Sequence, residues 1–140
     1  MRESYEESTR VANVMALISQ GYAMKRDDDL LRDLMLQIEE RPEPIFHFIP
    51  KLSVEVQAKT YFHLRLLADA GLLEESGKHG GEFRMTNSGH DFLAAIRSDT
   101  NWHRAKSTAA KVSGAGVGML RDIAIGYVRQ ELVKLGVPLG

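Results

Sequence analysis

The five histidines are the side chains of this sequence best suited to metal chemistry. Neutral imidazole nitrogens bind zinc, and two histidines four residues apart on one helix, with a carboxylate nearby, form a recognisable site. His63, His90 and His103 fall in three separate predicted helices, and no two histidines have that spacing. The chain has no cysteine, which excludes thiolate ligands, disulfides and cysteine nucleophiles. We therefore expect packing or surface roles for the histidines and no bound metal.

Two other segments have the composition of a ligand site. The run Asp27-Asp28-Asp29 could attract a cation, but it lies at the start of a predicted helix, where acidic residues match the helix dipole. Residues 114–118 have the glycine content of a phosphate-binding loop, yet no strand precedes them and no Gly-Lys-Ser/Thr follows. No serine-nucleophile or zinc-protease motif is present. We expect no catalysis and no cofactor.

The composition is that of one globular domain. The chain has 140 residues, with 18 Lys and Arg against 19 Asp and Glu. A formal net charge of -1 argues against a protein that coats nucleic acid non-specifically. The charge is unevenly spread, because residues 100–140 carry 6 Lys and Arg against 2 Asp and Glu. The N-terminus does not look like a signal peptide, and no apolar run could span a bilayer, so we expect a cytoplasmic protein with no membrane partner.

Apolar spacing and turn residues divide the chain into helices with a small amount of strand. We predict helices over 5–20, 27–40 and 53–70, then from Thr86, around Trp102, and over 117–135. Ser53 is the expected cap of the third helix, which has room for a break near Ala58. Residues 45–49 predict a strand, and the glycine-rich turn at 76–81 predicts a β-hairpin over 72–85. The fold class expected is mainly α with a small β-hairpin (α+β).

Two segments on either side of that hairpin resemble parts of winged helix-turn-helix proteins. Residues 60–73 contain H-L-x-x-L-x-x-A-G-L, which is typical of a recognition helix that ends at a glycine, here Gly71. Residues 85–93 resemble the exit from the second wing strand, where a threonine, here Thr86, caps the next helix. The resemblance implies a winged helix-turn-helix with additional N- and C-terminal helices.

A broader resemblance covers Met24 to about Leu135. The opening M-K-R-D-x-D-L-x-R, together with residues 89–97 and Trp102, is similar to an uncharacterised family of short bacterial and prophage proteins, grouped only as a domain of unknown function. Members commonly start at the methionine equivalent to Met24. The resemblance therefore implies a helical extension over 1–23, dispensable for folding or the product of an early start codon. It implies a winged-helix domain over 24–99 and C-terminal helices over 100–140.

The winged-helix resemblance implies a DNA-binding regulator as the leading hypothesis. Residues expected to contact duplex DNA lie on the recognition helix and the wing: Gln57, Lys59, Thr60, His63, Lys78, His79 and Arg84. His63 also occupies a position that is often half-buried under the hairpin. Only three of these seven residues are Lys or Arg, which is few for a protein that binds in a DNA groove. The alternative is a protein-interaction module of phage or prophage origin that binds a host or phage protein.

The last predicted helix is the candidate dimerisation element. Winged-helix regulators are often two-fold dimers that match palindromic sites. The residues expected at a homodimer contact are Leu120, Tyr127, Val128 and Leu132. The alternative is that this helix packs back onto its own domain.

Overall fold

The computed structural model describes residues 24–112 and 114–139, so the helix predicted over 5–20 lies outside the described residues. In chain order the elements are α1 (Asp28–Glu39), β1 (Ile45–His47), α2 (Glu55–Asp69), β2 (Leu73–Ser76), β3 (Glu82–Met85), α3 (Asn87–Ile96), α4 (Asp99–Ala110) and α5 (Val117–Lys134). The described chain is mainly helical with one small antiparallel sheet, which confirms the expected α+β class.

Side-chain caps fix the beginnings of three helices. The Asp27 carboxylate accepts a hydrogen bond from the Leu30 amide and so caps α1. Thr86 caps α3 and Ser98 caps α4 in the same way. Short oxygen-bearing side chains satisfy amides that have no partner within the helix, so these starts could be predicted from the sequence.

The start of α2 differs from its prediction. Val54, and not Ser53, is the residue before the helix, and its side chain makes no capping hydrogen bond. The helix is also continuous through Ala58, which is buried beside Leu52 in a small apolar cluster. Burial of Ala58 holds the first turn of α2 in place, so the helix forms without the cap or the break that the sequence suggested.

The sheet places the hairpin and the preceding strand together. Its strand order is β1-β3-β2, with β3 in the centre and antiparallel to both neighbours. Phe46 lies opposite Phe83 in this register, and their rings stack with centroids 5.6 Å apart. The hairpin over 72–85 is confirmed, and β1 joins it as a third strand.

One large apolar core connects the elements. Leu31 of α1, Leu67 of α2 and Phe83 of β3 belong to the same buried cluster as Trp102 of α4 and Leu120 of α5. The helices of residues 100–140 therefore pack on the elements of residues 24–99. None of the described helices is both long and apolar enough to cross a membrane.

Candidate binding surfaces

The hairpin is attached directly to the C-terminal end of α2. Gly71 adopts a left-handed conformation with φ of 77°, which lets the chain leave the helix. The Leu72 amide then donates to the Leu67 carbonyl at 2.9 Å, and the Gly71 amide donates to the Ala68 carbonyl at 3.0 Å. These are the two hydrogen bonds of a Schellman motif. The Thr86 hydroxyl donates to the Gly71 carbonyl at 2.6 Å, so both ends of the hairpin are tied to this turn.

His63 is fully buried, so its predicted exposed position on α2 is wrong. Its Nε2 accepts a hydrogen bond from the Asp27 amide at 2.8 Å, and its Nδ1 lies 2.8 Å from the Lys59 carbonyl oxygen. Because an amide N–H only donates and a carbonyl only accepts, the ring is neutral with its proton on Nδ1. His63 connects the start of α1 to α2, and neither ring nitrogen is available to a DNA base or a metal ion.

The other three predicted residues of α2 lie near its N-terminal half. The Gln57 side-chain oxygen accepts from the Lys51 amide at 2.8 Å, so this side chain holds the turn before the helix. Lys59 Nζ lies 3.7 Å from the Asp27 carboxylate. Thr60 is partly exposed. Of these, Gln57 has a structural role that the sequence did not predict.

A cleft of about 280 Å³ separates the first turns of α1 and α2. Its lining residues are Asp27, Asp29, Leu30, Asp33, Val56, Lys59 and Thr60. Three carboxylates against one lysine make this surface unfavourable for phosphate. The exposed side of α2 thus borders an acidic region.

The predicted cations of the wing lie on the hairpin. Arg84 is on β3 and donates to the Glu74 carboxylate of β2 at 2.8 Å. Lys78 and His79 are exposed in the turn between the two strands. Arg65 of α2, which the sequence analysis did not select, forms an ion pair with Glu75 of β2 at 3.4 Å. Glutamates of the hairpin therefore neutralise two of the arginines on this side of the molecule.

Three exposed apolar side chains lie in the segment that leads into the first turn of α2. Ile49 is 76% exposed and Val56 is 74% exposed, and Val54 between them is also exposed. We call these three residues the apolar tip. Sequence reasoning missed them, although the signal was present. Val54 and Val56 alternate around Glu55 and so fit no helical stripe that the core could bury.

The motif M-K-R-D-x-D-L-x-R, at residues 24–32, makes contacts within the protein. The Asp29 carboxylate accepts hydrogen bonds from Trp102 Nε1 and Lys106 Nζ, each at 2.7 Å. The Arg32 guanidinium donates to the Ile96 carbonyl at 3.0 Å. These residues attach α1 to α3 and α4, so the opening motif is explained by folding.

The Asp29 contacts predict an acid-dependent contribution to stability. Hydrogen bonds from Lys106 and then Trp102 lower the pKa of Asp29 below its ordinary value. A depressed folded-state pKa gives stability that is present above the unfolded pKa, about 3.9, and is lost as the pH falls through the folded value. Asp29→Asn should therefore flatten the decline of unfolding free energy below about pH 4. Urea unfolding at several acidic pH values measures this, and an unchanged decline would contradict it.

The four predicted dimer residues divide into two groups. Leu120 is 1% exposed and lies in the core of its own chain, so it is not available for a dimer contact and that assignment is wrong. The Tyr127 hydroxyl is hydrogen-bonded to Thr108, and the Arg104 guanidinium lies 3.9 Å from the centre of its ring. Val128 is exposed and Leu132 is partly exposed. Tyr127 is partly exposed as well, but its hydroxyl and one face of its ring are already in contact with α4.

The remaining histidines lie on the surface. His90 and His103 are exposed on α3 and α4, and His47 Nδ1 lies 3.6 Å from the Glu82 carboxylate. Across residues 24–112 and 114–139, no three His, Asp or Glu side chains are grouped as metal ligands would be.

Comparison with known proteins finds uncharacterised relatives. Residues 25–116 match the family described as "Hypothetical protein (DUF2513)". An "Uncharacterized protein" of Haemophilus influenzae is 33% identical over 117 residues, which cover 78% of this chain and 99% of the relative. No solved structure matches the chain significantly.

Proposed function

The chain belongs to the family described as "Hypothetical protein (DUF2513)", and we propose that it is a winged-helix binding module whose partner is another protein. The family description names no activity, so the proposal is argued from α2, the hairpin and the apolar tip. The observation that carries it is the exposure of Val54 and Val56 at the N-terminal end of α2, with Ile49 exposed in the segment before it. In a helix that reads a DNA groove, this end enters the groove.

The order of elements supports the winged-helix part of the proposal. The hairpin follows α2 at once, β1 adds a third strand beside β3, and α1 packs against α2. A helix-turn-helix motif has a further helix just before the recognition helix. Here a turn occupies that position, closed by a 2.9 Å hydrogen bond from the Val54 amide to the Lys51 carbonyl. α2 would be the recognition helix of a shortened motif.

The chemistry of the α2 N-terminus favours a protein partner. In helix-turn-helix proteins the N-terminal residues of the recognition helix contact base edges. The corresponding residues here are Val54, Glu55 and Val56, all exposed. Valine offers no hydrogen bond to a base, and a carboxylate is repelled by phosphates. Grouped exposed apolar side chains rimmed by polar ones are typical of protein–protein contacts.

The charges on the same side of the molecule point in the same direction. Affinity for duplex DNA comes largely from Lys and Arg side chains that neutralise phosphates. Lys59 faces Asp27, Arg65 faces Glu75 and Arg84 faces Glu74. Each of these cations would have to exchange a carboxylate of its own chain for a phosphate. The net gain in binding free energy from contacts with DNA phosphates would therefore be small.

Duplex DNA is the second candidate partner, and one observation favours it. Lys78 and His79 are exposed in the turn between β2 and β3. In a bound winged helix this turn reaches the backbone beside the recognition helix. A direct binding experiment separates the two candidates.

For the full chain, we expect no measurable duplex binding at physiological salt and no enriched sequence from a randomised-duplex selection. The DNA hypothesis gives the opposite result, an enriched sequence with salt-dependent affinity. On that hypothesis, replacing Lys59, Lys78 and Arg84 by alanine would flatten the slope of log affinity against log salt by about 0.9 per lost contact. An enriched duplex with that response would contradict the protein-partner proposal.

The protein-partner proposal also predicts that peptide binding depends on the apolar tip. A displayed library of random peptides serves as the probe, selected on the wild-type chain. The enriched peptides should bind Val56→Glu about tenfold more weakly or worse, because a charge at the centre of an apolar contact is desolvated without a partner. Val112→Glu, the same substitution at an exposed valine outside the tip, is the matched control and should bind like wild type. If the library yields no peptide that distinguishes Val56→Glu from Val112→Glu, the tip is not the binding surface.

A further inference from the structure

The second half of α5 extends beyond the core. The helix has 18 residues, and its buried residues Val117, Leu120 and Ala124 all lie in its first half. Residues 125–134 contribute no buried side chain. A helical segment of this length is marginally stable in water unless one face is packed. Ile125 still packs against the core and Tyr127 contacts α4, but residues 128–134 lack the buried side chains that the first half of α5 has.

Four apolar residues at the end of α5 and at its C-cap share one face. Ile125, Val128, Leu132 and Leu135 repeat at intervals of three and four residues. This spacing is that of the contact seam between two packed helices. Val128 and Leu135 are exposed, and Ile125 and Leu132 are partly exposed. We call these four residues the α5 stripe.

A groove of about 290 Å³ lies beside the stripe, between α3 and α5. Ala94 and Ala95 line it on the α3 side, and Ile125 and Val128 line it on the α5 side. The small alanine side chains leave room for the side chains of another helix. Asp91 completes the lining and places one carboxylate in an otherwise apolar groove.

Two exposed residues of α3 and α5 carry opposite charges. Asp91 on α3 and Arg129 on α5, next to Val128, are both exposed. Neither forms an ion pair with any residue in the described ranges. A two-fold axis brings one surface patch against its own copy, so that each contact occurs twice. The α5 stripe can then meet the apolar groove, and the Asp91 carboxylate can meet the Arg129 guanidinium, across such an axis.

We propose that a second copy of this chain covers the α5 stripe. Val128 and Leu132 of one protomer pack into the α3–α5 groove of the other, and Arg129 pairs with the partner's Asp91. The contact buries the end of α5 from Val128 onward, which has no buried side chain in the described chain. It differs from the dimer contact expected from the sequence, because Leu120 lies in the core and Tyr127 is held by Thr108 and Arg104.

Sedimentation equilibrium of the full chain at micromolar concentration tests the assembly. The expected mass is twice that of the 15.7 kDa chain. Leu132→Asp should give a monomer, whereas Val133→Asp, one residue along at a site that is 57% exposed and off the stripe, should remain a dimer. Circular dichroism should show both variants folded, since neither side chain is in the core. A monomeric wild type, or equal masses for the two variants, overturns the proposal.

Charge reversal tests the pairing independently of the apolar contact. Arg129→Glu and Asp91→Lys should each raise the dimer dissociation constant by about tenfold, because each sets like charges against one another. The double variant should recover most of the wild-type affinity, since the pair is restored in reverse. A double variant as weak as the two single effects combined would overturn the assignment of Asp91 and Arg129. Peptide binding at the apolar tip is unaffected in either case, so this proposal can fail without the proposed function failing.

Discussion

Replacing Gly89 by alanine is expected to destabilise the protein by about 3 kcal/mol, because a methyl group has no space there. A Cβ on Gly89 would lie 2.1 Å from the Leu72 carbonyl oxygen and 2.8 Å from Met85 Cγ. Leu72 is the residue through which α2 passes into the hairpin, and its oxygen also accepts from the Thr86 amide at 3.1 Å. The first turn of α3 and the base of the hairpin would have to separate. Thermal unfolding should show a midpoint lower by roughly 10 °C.

Gly126→Ala is the matched control for this prediction. Gly126 lies within α5, and a Cβ there would meet nothing within 4 Å. Alanine is a better helix former than glycine by up to about 1 kcal/mol, so this variant should be slightly more stable than wild type. If Gly89→Ala were as stable as Gly126→Ala, the close approach of α3 to the hairpin would not be needed for folding.

The close approach at Gly89 also shows what a sequence pattern can predict. Residues 89–97 carry part of the family resemblance, and the sequence placed Gly89 just after a helix cap. The cap at Thr86 and the stop at Gly71 are local effects that involve a few neighbouring residues, and both were predicted correctly. The reason for Gly89 is a backbone atom 17 positions earlier, which no local rule reveals.

The same limit explains the errors at the candidate site. Asp29 and Trp102 are 73 residues apart, so the sequence showed an acidic helix start and not the hydrogen bond between them. A histidine is polar in any pattern analysis, and His63 was therefore assigned to the exposed side of α2. Its burial depends on the Asp27 amide, which folding brings to Nε2 from 36 residues away. The ion pair between Arg84 and Glu74 likewise depends on strand register, which places the two residues opposite each other on β3 and β2.

His63→Ala is expected to cost about 3 kcal/mol of unfolding free energy, since it leaves a cavity and deprives the partly buried Asp27 amide of its acceptor. The loss falls at the junction of α1 and α2, which this side chain connects. Hydrogen exchange of the Asp27 amide should accelerate in step with the loss of stability. His103→Ala is the control, because His103 is exposed on α4 and its removal should change stability by less than about 0.5 kcal/mol.

A second substitution separates the hydrogen bond from the packing of the ring. His63→Gln places a side-chain oxygen near the position of Nε2, where it can accept from the Asp27 amide that lies 2.8 Å from the ring in the wild type. This variant should regain about half of the stability lost in His63→Ala, with protection of the Asp27 amide restored. A glutamine variant as unstable as the alanine variant, with the amide still unprotected, would show that ring packing alone fastens α1 to α2. Recovery of protection would establish the buried histidine as the hydrogen-bonded connection between the two helices.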